Sequence, residues 1–427
     1  MNQNSSEQDT TQKIGTFASL RIHNYRMLFT GTTLSNAAQW IQQVTLNWLI
    51  YDISGSGTLL GTVNLVRSIA AIAMIPAAGI LIDRLKRRRL MMFNNNWQLV
   101  ITAGFGILLL MDLNQMVYVF IFAILGGVIG TTDNTLRQVL VFDLLPRYLT
   151  PNGMALIQTG WSLMRSLGPG LGGFLLLWVG AGGNFMIQAG AYALIIFTIM
   201  KIHFPKRTIT STVKSSPLEN IKEGLRYIRN ERVTRTIMML GFVLPLLIIP
   251  IFTVLPPIYA VEVFGDDSGR ILGFLMASVG LGGIVGGFVT ASLGRMERRG
   301  LLQLGSLFLL SLSLVGFALT DILAVSLLFL VLSGFFEIIF LTTNQTLLQL
   351  SIPDDLRGRV TSVVNLNMAL QPLGGLIAGA GSDLLGGPKM ITIGMAGLAA
   401  FVVVIVLFIS PTIRNYRLSQ AIKPDGS

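Results

Sequence analysis

Five ionisable side chains stand inside stretches otherwise apolar enough to cross a membrane: Arg67, Asp133, Arg137, Arg165 and Glu337. A charge so placed costs roughly 3 kcal/mol or more, so it normally faces a wet cavity or a partner and serves binding or proton transfer. Asp133 and Arg137 are four residues apart, on one helix face, where they can pair. They form a structural ion pair or part of a site, and a carboxylate held charged by an arginine is a poor proton carrier. Arg137 can also snorkel toward the nearer interface. Arg67 and Arg165 fall about 14 Å into their helices at 1.5 Å per residue, close to the midplane. Arg165 either biases a cavity toward anions or bonds carbonyls freed at the Gly168-Pro169 bend that follows it. Glu337 sits among Phe335, Phe336 and Phe340 with no cation within a helical turn. Desolvation there disfavours its charged form, and a cavity wetted from each side in turn would let a proton load and leave. If transport is proton-coupled, Glu337 is therefore the first candidate proton carrier and Asp133 the second; a hydrogen bond to another helix is the competing role for Glu337, and an arginine from the other half would hold it charged and unfit it for carrying a proton. Gln39, Gln43 and Asn47 recur at spacing four, an amide stripe that lines a cavity or bonds neighbouring helices. Asn365, Asn367 and Gln371 are weaker versions of the same signal.

The elements that must position these groups are membrane helices. The chain has 427 residues, of which 52% are hydrophobic and 12% charged, with no cysteine. Its mean hydropathy is +0.68. A soluble domain carries about 25% charged residues, so this is a membrane protein. Twelve spans of sufficient length fall at roughly 27–51, 58–82, 90–111, 116–141, 156–179, 184–203, 237–261, 270–293, 301–319, 322–347, 360–385 and 389–409. The expected fold is all-α, twelve transmembrane helices in two six-helix pseudo-symmetric halves. The expected divisions are a cytoplasmic tail at 1–25, an N-terminal half at 26–203, a linker at 204–236, a C-terminal half at 237–409 and a second cytoplasmic tail at 410–427. With the N-terminus inside, 26 of the 31 Lys and Arg are cytoplasmic; Arg270 and Lys389 lie outside and Arg67, Arg137 and Arg165 lie within spans. That bias sets the orientation and accounts for the net charge of +11 without a nucleic-acid surface. The polar first 25 residues lack the basic start and apolar core of a secretory signal.

The turn Gly79 to Arg89, GILIDRLKRRR, joins the second and third spans. Asp83 lies at a helix C-terminus, where the backbone already presents partial negative charge, so it needs an opposing cation or helix N-terminus. The start of the eleventh span, after Arg357-Gly358-Arg359, is the expected partner. Arg84, Lys86, Arg87, Arg88 and Arg89 suit the helix end and an anionic leaflet. In the linker, Ser216-Pro217-Leu218-Glu219 starts a helix on which Leu218, Ile221, Leu225 and Ile228 form an apolar stripe. It lies on the membrane surface or forms a solvated linker helix. The halves are related by a repeat: TTDNTLRQ at Thr131–Gln138 returns as TTNQTLLQ at Thr342–Gln349, an offset of 211 residues. Arg295, Arg298 and Arg299 occupy the turn matching 79–89, but Ala291 stands where the first half has Asp83.

The pattern Gly79-x-Leu81-x-Asp83-Arg84-x-x-Arg87-Arg88 closely resembles the signature turn of the major facilitator superfamily. Trp48 to Asp52 with Gly55-Ser56 and Leu60-Gly61, and Gly168-Pro169-x-x-Gly172-Gly173, resemble its enterobactin-exporter and macrolide-efflux branch over essentially the whole chain. The resemblance implies a secondary transporter working by alternating access, with Asp83 as a latch of the outward-facing state. It further implies an exporter-type motif at Gly168, Pro169, Gly172 and Gly173. Two departures stand out: Phe120 to Gly130 carries no charge where proton-coupled drug exporters usually have an arginine, and Lys86 replaces a frequent glycine.

Other classes fit less well. The two histidines, His23 and His203, sit at cytoplasmic edges, and no catalytic set lies within the spans. A nucleotide-driven pump needs a phosphate-binding loop, yet the chain contains no Gly-Lys pair. The expectation is an ion-gradient-driven exporter of a small amphipathic molecule, siderophore-like or drug-like, in the cell membrane. Import, facilitated diffusion or a substrate-sensing receptor on the same scaffold are the alternatives. The expected partners are the substrate, a proton as coupling ion and the lipid bilayer, with a monomeric chain, no cofactor and no metal.

Overall fold

The computed structural model describes residues 15–204, 217–266, 268–292, 297–353, 356, 360, 363–364 and 370–414. All regular structure among them is helical. The first half comprises α1 (His23–Ser54), α2 (Gly57–Arg84), α3 (Arg87–Leu110) and α4 (Met116–Leu144), then a helical run Thr150–Met200. Gly180, at φ 67 and ψ −179, breaks that run into α5 (150–179) and α6 (181–200). A side chain at Gly180 would be strained by the positive φ, which is why glycine marks the corner. After α7 (Pro217–Asn230), the second half comprises α8 (Arg232–Val263), α9 (Arg270–Ser292), α10 (Arg299–Leu319), α11 (Leu323–Leu350), α12 (Gln371–Leu384) and α13 (Pro388–Ile409).

Eight of these helical runs are long and apolar enough to cross a membrane, one of them the run broken at Gly180. The polar α1 and α3 and the shorter described part of α12 complete twelve. The helix termini follow local chemistry. Gly55, at φ 59, closes α1 by donating its N–H to Tyr51 O at 2.8 Å, and Ser56 caps α2 by accepting from Leu59 N. The unusual element is α8, which carries Pro245, Pro250, Pro256 and Pro257 and winds into π-turns at Leu244–Ile248 and Tyr259–Val263. Each proline removes an intrahelical donor, so the ladder skips a register there instead of continuing straight.

Within the halves α1 packs on α5, α2 on α4, α9 and α10 on α11, and α10 on α13. Between the halves the main contacts are α2 on α12 and α5 on α9. Both need glycine: a Cβ on Gly173 would lie 2.3 Å from Gly273 Cα, and one on Gly379 would lie 2.0 Å from Gly57 O. The linker helix α7 is docked on the second half, with Ile228 buried and Tyr227 Oη donating to Ser351 O at 3.0 Å.

Candidate functional site: a cavity between the halves

The face that carries the α1–α2 turn is called distal here, and the opposite face, with the α2–α3 turn, proximal. At the distal face the halves are bonded together. The Asp383 carboxylate, at the last turn of α12, accepts from Gly57 N at 2.8 Å, Thr58 N at 2.9 Å, Thr58 Oγ1 at 2.7 Å and Ser56 Oγ at 2.8 Å. It thereby meets the orphan N–H groups and positive dipole end of α2, while sitting at the unfavourable end of its own helix. Beside it Tyr51 Oη donates to Glu262 Oε1 at 2.5 Å. Deeper, Asn47 of α1 donates to Thr253 O at 2.5 Å and accepts from Asn64 of α2 at 3.0 Å. At the proximal end of α2, Ile80 and Leu85 are exposed and a Cβ on Gly79 would meet nothing within 4 Å.

Below the distal bonds lies a cavity of about 140 Å3 whose walls include Trp40 and Trp161 from the first half and Phe252 and Met276 from the second. Arg165 of α5 and Glu337 of α11 line it and form an ion pair across the halves. Trp161, one turn before Arg165, stacks beneath its guanidinium at 5.9 Å and lies 6.2 Å from Trp40. Glu337 thus has an arginine partner contributed by the other half, which its own helix could not reveal. Arg165, weighed as a free cation or a carbonyl ligand, is instead tied to that carboxylate.

Asp133 and Arg137 do meet. Arg137 Nε donates to Asp133 Oδ2 at 2.6 Å, Arg137 Nη2 to Asn95 Oδ1 at 3.0 Å, and Asn95 Nδ2 to Asp133 Oδ1 at 3.0 Å. Thr32 of α1 accepts a longer bond of 3.4 Å from Arg137 Nη1. This closed ring is buried between α1, α3 and α4, away from the cavity between the halves. The equivalent place in the second half holds a neutral pair, Gln303 Nε2 donating to Asn344 Oδ1 at 2.6 Å.

The amide stripe of α1 divides. Gln43 and Asn47 line a small extension of the central cavity, whereas Gln39 faces a separate polar niche shared with Arg67. The glycines around Pro169 have two addresses: a Cβ on Gly168 would lie 2.6 Å from Trp40 Cβ and one on Gly172 3.1 Å from Ile41 Cα, while Gly173 faces α9. The motif therefore wedges α5 between α1 and the other half, and Pro169 itself lines the cavity. In the α2–α3 turn, Arg87 pairs with Asp143 at the end of α4 and Arg88 donates to Met200 O at 3.4 Å, at the C-terminus of α6. Arg84 is exposed. The side chain of Asp83, residues Arg357 to Arg359, and Asn365 and Asn367 lie outside the described residues; Gln371 lines the central cavity.

Sequence reasoning missed Asp383, Glu262 and Asn95. Asp383 was within reach, because it repeats the oddity of Asp83, a carboxylate at a helix C-terminus. Asn95 gave no signal, since an amide inside a span has too many uses.

A family model described as "Transmembrane secretion effector" matches residues 14–422. The staphyloferrin A transporter of Staphylococcus aureus is 24% identical over 387 residues, covering 90% of this chain and 95% of that protein. The multidrug efflux pump Tap of Mycolicibacterium fortuitum is 25% identical, covering 84% and 89%. The enterobactin exporter EntS of Citrobacter koseri is 24% identical, covering 82% of each. Among solved structures, a D-xylose-proton symporter superposes with a TM-score of 0.69 at 13% identity, covering 89% of this chain and 97% of that one. An inward-facing bacterial homologue of the iron transporter ferroportin superposes with a TM-score of 0.68 at 15% identity, covering 90% and 98%.

Proposed function

The chain belongs to the transmembrane secretion effector family of major facilitator transporters, and from that premise we propose that it exports a small amphipathic molecule, siderophore-like or drug-like, across the cell membrane. The observation that carries this reading is the cavity between the halves: aromatic and apolar walls around one ion pair, bonded shut on the distal face. Such a surface suits a ligand that is apolar over most of its area and polar at one end. The relatives named as an enterobactin exporter and a multidrug efflux pump support the same direction.

The proximal face is cytoplasmic on this reading, as the distribution of Lys and Arg requires, and both termini lie there. The state described is then open inward. Transport proceeds as the two halves rock about the cavity, the distal bonds of Asp383 and Glu262 breaking as a proximal contact of Asp83 forms. The proton is the coupling ion, and the Arg165–Glu337 pair is where it acts. While the pair is closed Arg165 holds Glu337 charged, so the proton is taken up as the halves part at mid-depth and the carboxylate loses its arginine, and it is released when they close and the pair re-forms. A chain of this design works as a monomer, since the whole path lies within one polypeptide.

Purified protein in proteoliposomes, with a pH gradient imposed in each direction, tests the proposal. Movement of a siderophore or dye substrate from the cytoplasmic side outward, accelerated by an inward proton gradient, is expected. Accumulation in the opposite direction would establish import, and binding without flux would establish a receptor.

A further inference from the structure

Arg67 of α2 lines a second cavity, about 160 Å3, whose walls all come from the first half and which is distinct from the one between the halves. Four observations bear on what that niche holds. Among the described residues, no carboxylate lies within ion-pairing distance of Arg67 and no side chain accepts a hydrogen bond from it. The other intramembrane charges are balanced, Arg137 by Asp133 and Arg165 by Glu337, so Arg67 leaves the spans with one uncompensated positive charge among the described residues. The surrounding side chains Gln39, Gln42, Gln98, Thr131 and Asn134 are all hydrogen-bonding groups. Of these, Gln98 is only 5% exposed, its Oε1 is buried, and its Nε2 is the atom turned toward Gly130 and the niche.

The niche is built by missing side chains. A Cβ on Gly127 would lie 2.4 Å from Arg67 O, so glycine lets α4 approach the α2 backbone closely and Arg67 emerges at the base of the niche. Cβ atoms on Gly126 and Gly130 would reach only to 3.8 Å from Gln42 Nε2 and 4.0 Å from Gln98 Nε2, so the space between these amides is left open. A guanidinium at this depth is costly without a counter-charge. An occupant that supplies the charge and accepts from the amide N–H groups facing Gly126 and Gly130 is an oxyanion.

We propose that this niche is a binding subsite for such a group, a carboxylate or similar acid, with Arg67 holding the anion and the Gln42 and Gln98 amide N–H groups that face Gly126 and Gly130 donating to it. The inference deepens the transport reading by naming the chemistry of one end of the substrate, whose apolar remainder would reach toward Trp40 in the central cavity.

The probe is 4-azidosalicylate, a photoreactive acid, compared with its neutral amide on the purified full-length protein in detergent. Expected is labelling of α1, α2, α3 and α4 peptides around the niche, stronger for the acid by about tenfold or more, the ratio that one charge-assisted hydrogen bond supplies. Excess salicylate should compete it away. Arg67→Gln should bring labelling by the acid down to that by the amide, Arg67→Lys should retain part of it, and Arg270→Gln, at the start of α9 and away from both cavities, should leave it unchanged. Gly130→Leu, which fills the space without altering charge, should abolish it, and this variant decides the matter if Arg67→Gln does not fold. Equal labelling by acid and amide, labelling that persists in Arg67→Gln or is lost equally in Arg270→Gln, or no labelling by either compound would overturn the proposal. No gradient or flux enters this measurement, so its failure leaves the export reading standing, and a failure of export leaves the subsite standing.

Discussion

Two ion pairs within the spans differ in what surrounds them, and that difference separates structure from coupling. Asp133 and Arg137 are closed into a ring by Asn95, with every strong donor and acceptor met inside one half. Removing one partner of a buried pair leaves an uncompensated charge, at a cost of about 3–5 kcal/mol, whereas replacing both is often close to neutral. Asp133→Ala should therefore lower the melting temperature sharply, and Asp133→Ala combined with Arg137→Leu should recover most of it. A double variant no more stable than the single one would contradict the structural role. The Arg165–Glu337 pair instead borders a cavity and joins the two halves, which part there in the proposed cycle. Glu337→Gln keeps a hydrogen bond to Arg165 but cannot exchange a proton. In proteoliposomes it should retain substrate binding and downhill exchange while losing pH-driven accumulation, and accumulation that persists would remove Glu337 as the proton carrier.

At the scale of elements, α5 is a wedge. Gly168 and Gly172 let it lie against α1, and Gly173 lets it touch Gly273 of α9 nearly backbone to backbone. Gly173→Val adds bulk where a single Cβ would already lie 2.3 Å from Gly273 Cα. Overpacking of this kind costs about 1–3 kcal/mol. Because the contact joins the halves, part of that cost should appear as easier opening on the distal face. Single cysteines placed near Tyr51 in this naturally cysteine-free chain should then react faster with a membrane-impermeant thiol reagent added outside. Unchanged labelling together with a lower melting temperature would mean that the strain stays within the first half.

At the scale of the whole molecule, the device seen on the distal face of the α2–α12 contact is proposed to have a counterpart on the proximal face. Asp383, at the C-terminus of α12, meets the N-terminus of α2 on the distal face. Asp83 sits in the last turn of α2 on the proximal face, where the start of the partner helix is its expected counterpart. On this proposal each carboxylate, unfavourable at the end of its own helix, is favourable against the start of the other, so each would gain only when its face closes. Removing one should favour the face that it does not hold. A capping carboxylate contributes about 1 kcal/mol, roughly a fivefold change in populations. Asp383→Asn should shift the protein toward distal opening and Asp83→Asn toward proximal opening, read as opposite changes in thiol labelling at the two faces. Shifts of the same sign in both variants would dismiss the paired latch.

Class, span number and the pairing of Asp133 with Arg137 were legible in the sequence, because each depends on composition or on neighbours within one helix. Hydropathy places a segment in lipid whatever surrounds it, and a spacing of four residues puts two side chains on one face before any packing occurs. The Gly79–Arg89 and Gly168–Gly173 motifs likewise pointed to the superfamily, since a tight basic turn and a glycine-proline bend are local features. The partner of Glu337 was decided only by tertiary structure: Arg165 is 172 residues away, on the other half, and nothing local distinguishes a lone carboxylate from one waiting for a distant arginine. The same holds for Asp383 and the start of α2, 326 residues apart along the chain, and for Arg67, which is seen to be unpaired only once every other intramembrane charge described has found its partner. Contacts between helices of different halves depend on how two bodies dock, and that geometry follows from interface packing, which leaves no periodicity in either helix taken alone.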